Sequence, residues 1–261
     1  MFKTRLITAL VGVPILLGIL YLGGYYWLGL VVILAVVALL EYMGMMLRQG
    51  FKPILIPTGL LTLIFLFRAQ MDQYWIGLLL AGWLLLVLSM IFNYPRYNFG
   101  DLGLSFFGAF YCGFLLSYAL IIPDLEGKYL NLLLALFLTW ATDTGGYLVG
   151  VRWGRHKLAP QLSPGKTREG AAGAVLLTII TAVGFKYIFG MDYLNLSYTI
   201  LLSICVSAAA QTGDLLESAL KRYFGLKDSG NIIPGHGGVL DRFDSLLLVL
   251  PVIYYLLVVF V

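Results

Sequence analysis

The sequence predicts an all-α polytopic integral membrane protein, with about nine transmembrane helices and a cytoplasmic N-terminus. Three observations predict it. Of the 261 residues, 61% are hydrophobic and only 11% charged, whereas a soluble domain carries roughly 25% charged residues. The apolar residues fall in runs close to the length of about 20 that a helix needs to cross the hydrocarbon. The basic residues gather between alternate runs.

The first run, 6–22, follows the basic start "MFKTRL". It has no A-x-A-like cleavage site and a second run follows at once, so it reads as a retained span rather than a removed signal peptide. Runs 26–46, 53–67 and 74–92 come next, and 53–67 is short enough to tilt little or to enter only partway. Runs 101–122 and 129–151 carry glycines and polar residues, which suits tight helix packing better than lipid contact. Runs 170–190, 195–220 and 244–261 complete the set. Residues 1–125 are expected to form N-terminal helices for packing, dimer contact or lipid access. Residues 126–261 are expected to form a C-terminal transmembrane region with cytoplasmic loops 152–169 and 222–243.

With the N-terminus inside, 14 of the 17 Lys and Arg residues lie on the inner side, and only Arg68, Lys128 and Lys186 lie outside. That is the expected bias for this orientation. The net charge of +4 is small, and nothing in its pattern points to nucleic acid. Cys112 and Cys205 lie inside apolar runs, which supports neither a disulfide framework nor a zinc site. No internal repeat suggests an inverted-repeat transporter.

Acidic residues interrupt the apolar pattern at three places: Asp143 in "LTWATDTGGYLVG", Asp214 and Glu217 in "SAAAQTGDLLESALKR", and Asp241 and Asp244 in "GHGGVLDRFDS". A carboxylate at mid-bilayer costs about 2.5–3.5 kcal/mol on insertion scales, so it persists when paired, hydrated or bound to a cation. The i,i+3 spacing puts each pair on one helix face. Carboxylates without cysteine favour a hard cation such as Mg²⁺. The competing structural reading pairs Glu217 with Lys221 at i,i+4 and has Asp241 cap the final helix.

Cations stand beside these acids. Lys221, Arg222, Lys227 and His236 share one inner loop with the aspartates, and "LSPGKTREG" adds Ser163, Lys166, Thr167, Arg168 and Glu169. Together with glycine amides they would receive a polyphosphate. The positive-inside rule accounts for the basic residues alone but not for Gly235, Gly237 and Gly238, which permit positive φ and close backbone approach. "PGKT" is not a P-loop, because Pro160 stands where its first glycine would be and no apolar strand precedes it. His156, in "RWGRHK", reads as interfacial charge.

Residues 218–244, "SALKRYFGLKDSGNIIPGHGGVLDRFD", resemble the signature of the phosphatidate cytidylyltransferases, or CDP-diacylglycerol synthases. Its fixed positions are met by Ser218, Lys221, Arg222, Lys227, Asp228, His236, Gly237, Gly238, Asp241, Arg242 and Asp244. The segment "ATDTGGYLVGVRWGRHKLAPQLSPGKTREG" is similar to the family's second characteristic region, so the resemblance covers roughly residues 135–250. It implies conversion of CTP and phosphatidate to CDP-diacylglycerol and pyrophosphate with Mg²⁺. It also implies a multispanning helical protein of the bacterial cytoplasmic (inner) membrane, commonly a homodimer. The match leaves open whether a second cation is bound.

On that reading the lipid phosphate attacks the α-phosphorus of CTP, and fixed cations and a metal screen the repulsion between the two anions. Asp214 and Asp241 are expected to hold Mg²⁺, with Asp244 and Asp143 binding it directly or supporting the groups that do. Lys221, Arg222, Lys227 and Arg242 would bind the triphosphate and the lipid phosphate. Lys166 and Thr167 would help from the other loop, and Glu169 would orient them or the cytosine. His236 is a candidate phosphate donor or acid. Ser163, Ser218, Asp228, Gly237 and Gly238 are candidates for substrate contact. The rivals are a CTP-dependent enzyme on another lipid (a polyprenol kinase or an archaeal-type CDP-lipid synthase) and a cation transporter. The paired pattern of a CDP-alcohol phosphotransferase is not found.

Overall fold

The computed structural model describes residues 2–260 apart from Pro234 and His236. Nine helices follow one another among the described residues: α1 (Phe2–Leu22), α2 (Gly24–Arg48), α3 (Leu55–Leu66), α4 (Trp75–Phe92), α5 (Phe99–Asp124), α6 (Tyr129–Trp153), α7 (Arg168–Phe189), α8 (Leu196–Tyr223) and α9 (Leu240–Phe260). Seven are long and apolar enough to cross a membrane, and the two shorter apolar stretches are Leu10–Leu22 and Leu55–Leu66. The chain is a multi-pass all-α membrane protein. At 12 residues, α3 is about 18 Å long, short of a hydrocarbon core about 30 Å thick.

The chain divides into two compact units: residues up to Ile121 together with Tyr223–Arg242, and Ile122–Arg222 together with Phe243–Val261. In the first, Gly23 at φ 60° lets α1 turn into α2, a conformation that costs a glycine little. Along α2 the buried positions Trp27, Val31, Ala35, Ala38 and Tyr42 recur at helical spacing. The Trp27 indole N–H donates to the Ala119 carbonyl at 2.7 Å, and the Tyr42 hydroxyl to that of Leu104 at 3.1 Å. Ile54, Leu61, Phe65, Leu86, Met90, Leu102 and Ala109 form a core between α3, α4 and α5.

A capping box opens α5. The Asn98 side chain accepts from the Asp101 amide and the Asp101 carboxylate accepts from the Asn98 amide, each at 3.0 Å, which satisfies two orphan donors of the first turn. A π-helical turn at Phe110–Phe114 interrupts α5. Gly113 lies within it, against α3, where a Cβ would fall 2.6 Å from the Thr62 carbonyl.

In the second unit α6 and α7 pack through small residues. A Cβ on Gly145 would fall 2.6 Å from the Gly173 carbonyl, and one on Gly170 would fall 2.8 Å from that of Gly146. Such contacts let two backbones approach where lipid offers no hydrophobic drive. Between these helices the chain makes an antiparallel hairpin of β1 (Lys157–Ala159) and β2 (Ser163–Thr167), a small addition to the helical fold that the sequence did not announce.

Candidate active site

The hairpin and the C-terminal half of α8 carry one charged cluster, all within the second unit. Thr167 ends β2 and caps α7, its hydroxyl accepting from the Gly170 amide at 3.1 Å. "PGKT" is therefore a strand running into a helix cap, and Lys166 projects from the strand beside that cap. Its ammonium lies 2.6 Å from Asp214 Oδ2 on α8, with the two side chains 23% and 34% exposed. The Ser218 hydroxyl, one turn on, reaches Asp214 Oδ1 at 3.4 Å.

Gly213 lets α8 meet the start of α9, where a Cβ would fall 2.7 Å from the Asp244 carbonyl. The Asp244 carboxyl consequently sits in the field of Asp214, Lys221 and Lys166. Glu217 is wholly buried and ion-paired with Lys221, the i,i+4 pairing that the structural reading of the sequence proposes. Arg222 Nε reaches the Leu162 carbonyl at 3.5 Å, linking the end of α8 to the hairpin turn. Glu169 accepts from the Arg155 and His156 amides at 3.0 and 3.2 Å and pairs with His156 Nδ1 at 2.6 Å. Its carboxylate thus secures the turn out of α6. Ser163 is half-buried, while Arg168 and Asp143 are exposed on this chain.

Hard oxygen donors from Asp214, Asp244 and Ser218 suit Mg²⁺, which takes one or two carboxylates and keeps several waters or phosphate oxygens. No group of three or more His, Cys, Asp or Glu side chains gathers as a metal cage among the described residues, and Mg²⁺ needs none. The donor set fits that ion.

The glycine-rich segment forms a second cluster, within the first unit. Asp241 Oδ2 accepts from the Ser229 amide at 2.8 Å, the Ser229 hydroxyl at 2.9 Å and the Gly238 amide at 2.9 Å. Asp241 stands in the first turn of α9 and ties it back to the segment before it, while the amides of Val239 and Leu240 at the helix start go to another acid, Glu41. The turn is completed by Gly235 at φ 76° and Gly237 at φ 85°, and the Ile233 amide bonds the Gly237 carbonyl at 2.9 Å. Positive φ at both positions is the freedom that the sequence assigned to these glycines. Lys227, Asp228 and Arg242 are exposed. His236 lies outside the described residues.

Sequence reasoning missed Glu41. It is a lone carboxylate in the apolar run "ALLEYMGMML", and it accepts from the Val239 and Leu240 amides at 2.9 Å each. Its signal was there to be read, since an acid inside a span calls for a partner.

Carboxylates and cations gathered at helix ends of a multi-pass helical membrane protein are what a membrane enzyme working on phosphate groups requires. Residues 3–260 match the model of the cytidylyltransferase family, and the chain belongs to that family. It is 36% identical to the phosphatidate cytidylyltransferase of Staphylococcus haemolyticus over 98% of this chain and 99% of that one. It is 34% identical to the phosphatidate cytidylyltransferase of Bacillus subtilis over 99% and 98% of the two chains.

Proposed function

We propose that the chain is a phosphatidate cytidylyltransferase of phospholipid biosynthesis. CTP and phosphatidate give CDP-diacylglycerol and pyrophosphate: a lipid phosphate oxygen bonds to the α-phosphorus of CTP, and the bond to the β-phosphate breaks. The observation that carries the reading is the Lys166–Asp214 pair beside Asp244. A cation and two carboxylates next to one another can serve a polyphosphate and its metal together.

Mg²⁺, when bound, supplies Lewis-acid polarisation of the phosphates. Asp214 and Asp244 would hold it, and Asp241 and Asp143 are proposed as donors on the same chemical grounds. Lys166 exchanges its hold on Asp214 for triphosphate oxygens. Lys227 and Arg242, both exposed, bind the triphosphate and the lipid phosphate, joined by Arg222 and Lys221. Ser218 steadies Asp214, while Thr167 and Glu169 shape the strand-to-helix corner from which Lys166 projects. The remaining candidates, Ser163, Asp228, His236, Gly237 and Gly238, contact substrate or form its backbone cradle. A phosphomonoester with its second pKa near 6 is already an anion at neutral pH, so no strong base is assigned.

The enzyme would sit in the bacterial cytoplasmic membrane as a homodimer, with this site on the cytoplasmic side, where CTP is found. Purified protein given labelled CTP, phosphatidate and Mg²⁺ is expected to form labelled CDP-lipid and pyrophosphate in equal amounts. Release of CDP in place of pyrophosphate would mean a lipid kinase, and no consumption of CTP would defeat the proposal.

A further inference from the structure

Glu41 lies seven residues before Arg48, the last residue of α2, so it sits about 10 Å in from that helix end. It is only 6% exposed. A carboxylate in such a place is expensive unless its charge is answered by hydrogen bonds. The Val239 and Leu240 amides answer it at 2.9 Å each, and the Ser229 hydroxyl lies 3.3 Å from Oε2. These amides are orphan donors where α9 begins, and an anion there is favoured by the helix dipole.

Two glycines close around the same carboxylate. A Cβ on Gly230 would fall 2.6 Å from Glu41 Oε1, and one on Gly238 would fall 2.6 Å from that same oxygen. Gly238 also gives its amide to Asp241. The Ser229 hydroxyl has a single proton to give and lies between two acids, its oxygen 2.9 Å from Asp241 Oδ2 and 3.3 Å from Glu41 Oε2.

We infer that Glu41 is a positioning residue for Ser229, Gly230 and residues 238–241: it holds the backbone of Val239 and Leu240 from α2 and, through Ser229, sets the carboxylate of Asp241. The inference rests on the functional reading above, in which this segment serves the reaction. Loss of the Glu41 charge leaves two helix-start amides poorly paired and hands Ser229 wholly to Asp241, so the segment relaxes and Asp241 turns with it. The glycine at 238, whose φ is not positive, is then explained as room for the Ser229 hydroxyl and for an acid from another helix.

The test uses the full chain in lipid nanodiscs and compares Glu41→Gln with Met45→Ala. Met45 is a fully buried residue of the same helix and takes no part in the site. Glu41→Gln is expected to speed amide hydrogen exchange in peptides covering 229–241 at least tenfold, leaving α4 unchanged. It should also lower kcat/KM for CTP by about 10–100-fold, the usual cost of losing a group that orients another. Met45→Ala should lower Tm and leave kcat/KM of the folded fraction within about twofold. Unaltered exchange in 229–241, or a kinetic loss that follows Tm alone as in Met45→Ala, would overturn the inference. Should Glu41→Gln not fold, Ser229→Ala removes the link while keeping both acids, and the same two readouts decide. If the unmutated chain makes no CDP-lipid, the functional reading fails alone, and the exchange data still judge whether Glu41 holds the segment.

Discussion

Lys166 and Asp214 form a short ion pair with side chains 23% and 34% exposed and the Lys166 ammonium itself buried, and for such a pair the cost of desolvation offsets much of the attraction. A folding role is thus a weak reason to bring them together, which leaves chemistry as the stronger one. Asp214→Asn keeps the shape and removes the charge. It is expected to insert normally, and its folded fraction to lose about 100-fold or more in cytidylyl transfer, the scale of removing one preorganised electrostatic group. Steady-state kinetics beside a melting curve check this, and near-normal turnover would take Asp214 out of the site. Glu217 is the opposite case. It is wholly buried against Lys221, where breaking a pair costs about 3–5 kcal/mol, so a change there registers first in stability. The sequence marked Asp214 and Glu217 as acids interrupting the apolar pattern and Lys166 and Lys221 as cations beside them, but pairing Lys166 with Asp214 needed the fold, because the two lie on different elements.

At the scale of elements, glycines decide how closely helices meet. The start of α9 reaches α8 at Gly213, where any Cβ would press on the Asp244 carbonyl and on the Ser245 Cα at 3.1 Å. These are backbone atoms with little room to yield. Gly213→Ala is expected to cost about 1–3 kcal/mol by overpacking and to reduce activity as well, because Asp244 must move with its backbone. A melting curve and an assay at low temperature separate the two losses, and an unchanged Tm with full activity would show that the contact relaxes freely. Period and composition were enough to place α2 and α4 through α9 within a few residues and to mark α3 as short. They were silent on the hairpin at 157–167, because its strands are too short and polar to show an alternation.

Across the whole molecule, charge placement is the quantity with consequences. Fourteen of 17 basic residues lie on one side of the expected topology, and the positive-inside rule then predicts Gln161 on the cytoplasmic side and Glu126 outside. Both positions are exposed. With Cys112 and Cys205 replaced by alanine, Gln161→Cys should react with an impermeant maleimide only after cells are opened, and Glu126→Cys should react in intact cells. The reverse pattern would move the site to the outer face and away from CTP.

By itself the sequence determined what depends on composition and local spacing: membrane class, number of apolar runs, the bias of basic residues, the glycine-rich segment and most of its acids and cations. Those properties follow from each residue's cost of transfer and from helical repeat, which need no knowledge of neighbours. Only the tertiary structure decided which charges answer one another. Lys166 meets Asp214, Glu169 secures the turn at His156, Asp241 draws Ser229 and Gly238 together, and Glu41 reaches the amides of Val239 and Leu240. Hydrogen bonds and ion pairs act over about 3 Å, and sequence separation carries no information at that distance until the chain has folded.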